Sequence, residues 1–161
     1  MSEPMSEPTA APMYVSRATL APAGKLHRHA VLEAGGEAEF GVHGPIAEYF
    51  RLAPPRPLPL PVDYVVAATC GCMLGTLIGA LEVRQVPLEP GAITARAEGD
   101  NVLREGLPLL TAIRVHYRIR VPQAFREAVD RALARHQDKC PTAATLKPAV
   151  AVSWTAEIEE V

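Results

Sequence analysis

Apolar and polar residues alternate most regularly in the segment TAIRVHYRIRV, which runs from Thr111 to Val121. From Ile113 onward every second residue is Ile, Val or Tyr, and the residues between them are Arg or His. A period of two predicts a half-buried strand, because successive side chains of a strand point to opposite faces. The same period in AVAVSWTAEIE predicts a last strand, with one face formed by Val150, Val152, Trp154, Ala156 and Ile158.

Four further strands are predicted from shorter segments. MYVSRATLA and KLHRHAVLEA are expected to pair as a hairpin, and GEAEFGV follows a turn at Gly35 and Gly36. AITARAEG, from Ala92 to Gly99, precedes the alternating segment.

A helical period appears in PQAFREAVDRALARHQ, where Phe125, Val129, Ala132, Leu133 and His136 share one face. Pro122 begins this amphipathic helix, and its surface carries the i,i+4 pairs Arg126–Asp130 and Glu127–Arg131. A short helix is predicted in PTAATL.

Every residue between Asp63 and Glu82 is uncharged, and the length of this run reaches the threshold for a membrane span. Glycines and threonines dilute it and no second span follows, so we expect no membrane insertion. We expect instead a helix at the centre of a soluble fold, starting near Pro61, with small residues that let another helix approach, such as one from a second subunit.

Together these elements predict an α+β fold. The order is three strands, a buried helix, two strands, an amphipathic helix and a last strand, without the repeated strand–helix units of a doubly wound sheet. The proline-rich connection HGPIAEYFRLAPPRPLPLP is expected to form neither helix nor central strand. Residues 1–12, which begin with the repeat MSEPMSEP, are expected to be a disordered tail, and residues 13–161 a single domain.

The composition excludes several classes of protein. The chain has 161 residues, of which 48% are hydrophobic and 21% charged, with a formal net charge of -2. This balance gives no reason to expect nucleic acid or an anionic membrane as a partner. Three cysteines do not suit a secreted disulfide scaffold, and no charged-then-apolar leader opens the sequence, so we expect a cytoplasmic protein with reduced thiols.

The cysteines are the main candidates for chemistry. Cys70 and Cys72 point to nearly opposite sides of a helix, so one of them is expected to be a packing residue. Cys140 follows Lys139, lies near His136 and precedes Pro141, so a reactive thiol and a buried core thiol both stay open. These three thiols and His136 lack the ligand spacing of structural zinc, and we expect neither a metal nor a cofactor.

Two of these motifs resemble those of the OsmC/Ohr family, the osmotically inducible and organic hydroperoxide resistance proteins. In PVDYVVAATCGCMLGTL, Cys72 lies eleven residues after Pro61, as the family's peroxide-reacting cysteine follows its helix-opening proline. HQDKCPTAATLKPAVAVSW resembles the second motif, with Cys140 in the Cys-Pro pair. The resemblance covers about Tyr14 to Ile158 and implies an intertwined homodimer whose long buried central helices lie between curved antiparallel sheets.

The resemblance also implies a function. Cys72 would attack an organic hydroperoxide and become a sulfenic acid, and Cys140 would resolve it to a disulfide. An external dithiol, such as a lipoyl group, would then reduce that disulfide.

This chain departs from the family at the basic and acidic partners of the thiol. The glutamate that follows the helix-opening proline in the peroxidases is replaced by Val62. Arg28 is the first choice for the family arginine and Lys25 the second, and the pair Glu48 and Arg51 is a further alternative. The missing glutamate favours a second hypothesis, an OsmC-like protein that binds a small apolar ligand and has weak or no peroxidase activity.

Overall fold

The computed structural model describes residues 11–161. Residues 1–10, the greater part of the predicted tail, lie outside the described residues. Backbone contacts divide the chain into two compact units, one ending at Pro59 and one spanning Leu60–Val161. The assignment of residues 13–161 to a single domain stays a prediction.

The first unit contains an antiparallel sheet in the order β1–β2–β3. Its strands are β1 (Ala18–Gly24), β2 (His27–Leu32) and β3 (Glu37–Phe40). The predicted hairpin is confirmed, although β1 begins five residues later than the sequence pattern indicates. The turn before β3 contains Gly35 and Gly36, whose φ angles of 101° and 97° lie in the left-handed region that favours glycine.

The proline-rich connection contains a helix that the sequence analysis excluded. Helix α1 spans Gly44–Tyr49 and buries Ala47. The prediction was wrong because Pro45 lies in the first turn of the helix. Backbone N–H groups in the first turn have no partner within the helix, so a proline there costs no hydrogen bond. The dense prolines begin only at Pro54, after the helix has ended.

The second unit contains the longer sheet, in the order β4–β5–β6. Its strands are β4 (Ile93–Arg104), β5 (Leu107–Val121) and β6 (Ala151–Glu160). β4 and β5 are antiparallel, but β6 pairs with β5 in parallel. The expectation of antiparallel sheets is therefore wrong for β6. The helical segment between these strands returns the chain to the start of β5, so that β6 runs in the same direction as β5.

The two faces of this sheet follow the alternation in the sequence. On β5 the apolar residues are buried and the arginines between them are exposed. The predicted apolar face of β6 is half-buried along its length. Three helices in this unit, α2 (Pro61–Glu82), α3 (Arg126–His136) and α4 (Pro141–Leu146), share one hydrophobic core with these strands.

Helix α2 covers the predicted uncharged run. Pro61 occupies its first turn, and the Asp63 carboxylate accepts a hydrogen bond from the Leu60 N–H at 2.7 Å. One stripe of α2 is buried, and its four residues recur every fourth position: Thr69, Met73, Leu77 and Leu81. The helix is long and apolar enough to cross a membrane by length and composition, a test that the core helix of a soluble protein also passes.

Helix α2 and β4 approach each other closely at Gly99. A Cβ atom at this position would lie 2.5 Å from Val66 Cγ2 and 3.0 Å from Leu110 Cδ1. The close packing therefore requires a residue without a side chain here.

We expect Gly99→Ala to lower the free energy of unfolding by about 1–3 kcal/mol, because the added methyl group overpacks the contact between α2 and β4. Chemical denaturation monitored by circular dichroism measures the change. The double variant Gly99→Ala/Val66→Ala is the control, since it removes the nearer of the two side chains that the new methyl group would meet. A Gly99→Ala variant as stable as the parent would contradict this account.

Candidate functional site

The site is built where α2 meets the start of α4. Cys72 lies on α2 beside the buried stripe and is itself half-buried. Cys140 immediately precedes α4 and is completely buried. The two thiols lie close enough for each to shift the pKa of the other, so residues that are far apart in sequence are neighbours in the fold. Both cysteines are free thiols in this structure.

The backbone at Cys140 holds its sulfur at the end of the helix. Cys140 has extended backbone angles, with φ -84° and ψ 113°, and Pro141 begins α4 directly after it. The Cys140 Sγ accepts a hydrogen bond from the Ala143 N–H at 3.5 Å, in the manner of a helix-capping side chain. This arrangement explains why a Cys-Pro pair is placed at this point of the sequence.

The surroundings of Cys72 favour its thiolate. Burial of the thiol opposes ionisation, but hydrogen bonds from the Thr142 hydroxyl, the Cys140 thiol and the Thr142 backbone N–H outweigh it. Together with a smaller effect of the Thr76 hydroxyl, they lower the pKa of Cys72 below that of an ordinary thiol. Thr76 also donates to the Cys72 backbone carbonyl at 2.8 Å.

Cys140 has the opposite tendency. Burial raises the pKa of its thiol, the backbone N–H groups of Ala143 and Thr142 oppose this effect, and the neighbouring Cys72 raises the pKa further. The favoured state of the pair is therefore a Cys72 thiolate beside a protonated Cys140. A thiolate and a thiol near each other are the two groups that thiol redox chemistry requires.

Cys70 lies on a different side of α2, as its spacing from Cys72 predicts. It is half-buried and packs against the hydrophobic core. Burial raises the pKa of the Cys70 thiol. Burial, together with the nearby charges of Cys70 and Cys140, also raises the pKa of Tyr117.

His136 is a buried neutral side chain. Its Nδ1 lies 2.8 Å from the Leu133 carbonyl, which can only accept, so Nδ1 carries the proton. Nε2 then accepts a hydrogen bond from the Tyr117 hydroxyl at 2.9 Å. Burial lowers the pKa of His136, so this residue does not supply the positive charge near Cys140 that its sequence position suggested. Within residues 11–161 no group of three or more His, Cys, Asp or Glu side chains could hold a metal ion.

The predicted basic and acidic partners lie in the first unit. Arg28 is half-buried on β2, opposite Pro22 on one side and Phe40 on the other. Lys25 is exposed beside the turn that follows β1. Glu48 and Arg51 are exposed in and just after α1. The roles of all four remain predictions.

The first turn of α2 contains the position where the peroxidases of the family carry glutamate. Val62 occupies it and is half-buried. The neighbouring Asp63 carboxylate caps the helix through the Leu60 N–H.

Sequence reasoning missed the threonines of the site. Thr142 follows the Cys-Pro pair by one residue, and Thr76 lies one helical turn after Cys72. The sequence feature that could have indicated them is a threonine two residues after Cys140 and another four residues after Cys72, both in predicted helices. That signal is weak, because threonine hydroxyls in helices commonly bond to backbone carbonyls of the preceding turn.

The sequence matches the family model of the OsmC-like proteins over residues 56–155, which is more than half of the chain. The chain belongs to the OsmC family. The resemblance inferred from the two cysteine motifs is therefore confirmed, and residues 56–155 include both Cys72 and Cys140.

Solved structures show the same fold. The OsmC-like protein from Mycoplasma pneumoniae superposes with a TM-score of 0.72 at 11% identity, covering 91% of this chain and 99% of that one. The organic hydroperoxide resistance protein OsmC from Legionella pneumophila gives 0.65 at 15% identity, covering 91% and 99%. OhrB of Bacillus subtilis, an organic hydroperoxide resistance protein, gives 0.61 at 14% identity, covering 91% and 100%. No curated protein sequence matches this chain.

We expect iodoacetamide to alkylate Cys72 faster than Cys70 or Cys140 at pH 7, because the thiolate is the nucleophile and only Cys72 has a lowered pKa. As the pH rises, the rates at Cys70 and Cys140 should increase after that of Cys72 has levelled. Peptide mass spectrometry measures each rate. The chain unfolded in guanidinium is the control, since its three thiols should react alike. Faster labelling of Cys70 or Cys140 at neutral pH would refute the assignment.

Proposed function

We propose that this protein is a thiol-dependent peroxidase that reduces organic hydroperoxides, with Cys72 as the nucleophile and Cys140 as the resolving thiol. The observation that carries this proposal is that two free thiols lie near each other and have pKa values shifted in opposite directions. A peroxidase of this kind needs a thiolate to attack first and a protonated thiol within reach to finish the reaction.

In the first step the Cys72 thiolate attacks the terminal oxygen of the hydroperoxide. A sulfur–oxygen bond forms, the oxygen–oxygen bond breaks, and the alkoxide leaves and takes up a proton to become an alcohol. Cys72 is then a sulfenic acid.

In the second step Cys140 forms a disulfide with Cys72. Its sulfur attacks the sulfenic sulfur, and the departing hydroxide takes the thiol proton and leaves as water. Because the charge of Cys72 contributes to the raised pKa of Cys140, oxidation of Cys72 removes part of the barrier to ionising the second thiol. The first step therefore prepares the second.

An external dithiol, of which a lipoyl group is one example, returns the two electrons and restores both thiols. The chemistry needs no cofactor and no metal. A cytoplasmic location, where such dithiols are kept reduced, suits this cycle. We retain Arg28 as the proposed basic residue of the site.

The names of two structural relatives support the substrate class. The proteins from Legionella pneumophila and Bacillus subtilis are both named organic hydroperoxide resistance proteins. Their identity to this chain is 15% and 14%, so the thiol geometry of this chain, rather than those names, is the main argument.

We further propose that the protein acts as an intertwined homodimer whose α2 helices pack together. Outside its buried stripe, α2 carries uncharged residues that this single chain leaves exposed: Val65, Ala67, Ala68, Gly71 and Gly75. The space beside Gly71, Gly75 and Gly79 is open. A second copy of α2 would remove this apolar surface from water.

The alternative function is binding of a small apolar ligand with weak or no peroxidase activity. Two observations favour it: Val62 replaces the glutamate of the peroxidases, and a groove of about 560 Å³ lies between α2 and β4. Val66, Cys70 and Gly99 are among the residues that line this groove.

We expect the reduced protein to consume cumene hydroperoxide when a dithiol is supplied. Cys72→Ser should abolish consumption, because it removes the nucleophile. Cys140→Ser should allow one oxidation and then accumulate sulfinic acid at Cys72, since no resolving thiol remains. Cys70→Ser is the matched control and should keep turnover. Peroxide assays with mass spectrometry of each variant distinguish these products, and reduced parent protein that leaves the peroxide untouched would favour the ligand-binding alternative.

We expect the parent protein to sediment as a dimer at micromolar concentration, with an interface larger than about 2,000 Å². Gly75→Leu should shift it toward monomer by placing a large side chain on the proposed helix–helix contact. Ala134→Leu, which adds the same side chain to the exposed surface of α3, is the control and should remain dimeric. A monomeric parent protein would disprove the dimer.

A further inference from the structure

We propose that His136 and Gln137 are positioning residues, which hold the Cys140 thiol in place by fastening the end of α3 to the sheet. This inference rests on the proposed function, because it takes Cys140 as the thiol that completes the disulfide. Cys140 follows His136 by four residues. A thiol that must reach one particular sulfur reacts faster when its backbone is already held near the reactive geometry.

The His136 side chain joins α3 to β5. Its Nε2 accepts a hydrogen bond at 2.9 Å from the hydroxyl of Tyr117, which is completely buried on β5. Its Nδ1 donates at 2.8 Å to the Leu133 carbonyl in the last turn of α3. Both ring nitrogens are therefore used, and the ring is held from the sheet and from its own helix.

Two aromatic side chains surround the same ring. Tyr117 on β5 and Trp154 on β6 both meet the His136 ring edge-on, with centroid distances of 5.3 Å and 5.2 Å. His136 is only 1% exposed, so a lost hydrogen bond would leave its ring nitrogen buried without a partner. That penalty opposes any movement of the end of α3 away from the sheet.

Gln137 provides a second connection, to a different strand. Its side-chain amide donates a hydrogen bond at 2.8 Å to the Val152 carbonyl on β6. Consecutive residues thus bind β5 and β6. Two connections in different directions fix the rotation of the chain at this point as well as its position.

The connection to Cys140 is short. One turn of 3-10 helix, Gln137–Lys139, lies between the two anchoring residues and the thiol. The Cys140 N–H donates to the Gln137 carbonyl at 3.1 Å, and the Cys140 Sγ accepts from the Ala143 N–H at 3.5 Å. Cys140 is completely buried, so its segment has little freedom apart from that of the anchor.

The test measures the approach of Cys140 to Cys72 without peroxide, in a Cys70→Ser background. One equivalent of the aromatic disulfide dithiobisnitrobenzoate is added to the reduced protein. The Cys72 thiolate attacks it, forms a mixed disulfide and releases one thionitrobenzoate. Cys140 then attacks the Cys72 sulfur, which forms the protein disulfide and releases the second thionitrobenzoate. The first release reports Cys72 alone, and the second reports the position of Cys140.

We expect Tyr117→Phe, which removes the hydroxyl and keeps the ring, to slow the second release about tenfold, the effect of losing one buried hydrogen bond. The first release should keep the rate of the parent. Gln137→Met removes the amide and keeps the length of the side chain, and it should slow the second release in the same way. It carries the test if circular dichroism shows that Tyr117→Phe is unfolded.

Val129→Ala is the matched control, because it removes buried methyl groups from α3 and leaves both anchoring hydrogen bonds in place. Chemical denaturation measures its loss of stability beside that of Tyr117→Phe. Its second release should keep the rate of the parent. Equal slowing in Val129→Ala would overturn the inference, and so would an unchanged second release in the folded anchor variants.

The probe separates this inference from the proposed function, since it contains no peroxide. A parent protein that leaves cumene hydroperoxide untouched, with a Tyr117→Phe variant that slows the second release, would overturn the proposed reaction and support the anchor. A parent protein that reduces the peroxide, with anchor variants that behave as the parent, would support the reaction and overturn the anchor.

Discussion

Three residues of the buried stripe of α2, Met73, Leu77 and Leu81, lie in the hydrophobic core with the apolar face of β5. This contact determines the rotation of α2 about its own axis, and the rotation determines where each thiol points. With the stripe buried, Cys72 faces α4, while Cys70 packs against the hydrophobic core from a different side of the helix. The absence of a side chain at Gly99 lets the helix and sheet pack closely enough to hold this rotation.

Hydrogen bonding, rather than burial, makes the pKa values of the two thiols differ. Removal from water raises the pKa of a thiol, and both cysteines experience this effect. Only at Cys72 do the hydrogen-bond donors outweigh burial; at Cys140 the backbone N–H groups of Ala143 and Thr142 oppose burial without reversing its effect. The proton of Cys140 then becomes one more donor to Cys72. Two chemically identical side chains near each other thus acquire different properties from the hydrogen bonds around them.

Much of the fold was predictable because it depends on short-range periodicity. The alternation from Ile113 to Val121 and the helical period around Val129 both appear in the structure as expected. Two predictions were wrong, because the effect of proline depends on its position in a helix and because the direction of a strand is not a local property. Pro45 was treated as a helix breaker although the first turn tolerates proline, and β6 was expected to be antiparallel although no local pattern encodes the direction of a pairing strand.

The sequence by itself determined that α2 would be uncharged, that Cys70 and Cys72 would face different sides of it, and that Cys140 would lie at a helix start. These properties follow from residue type and helical geometry, which act over a few residues. Only the tertiary structure decided that Cys140 lies near Cys72, that the surroundings of Cys72 lower its pKa, and that His136 is neutral. Each of these depends on burial or on a hydrogen bond between distant segments, and neither can be obtained from spacing along the chain.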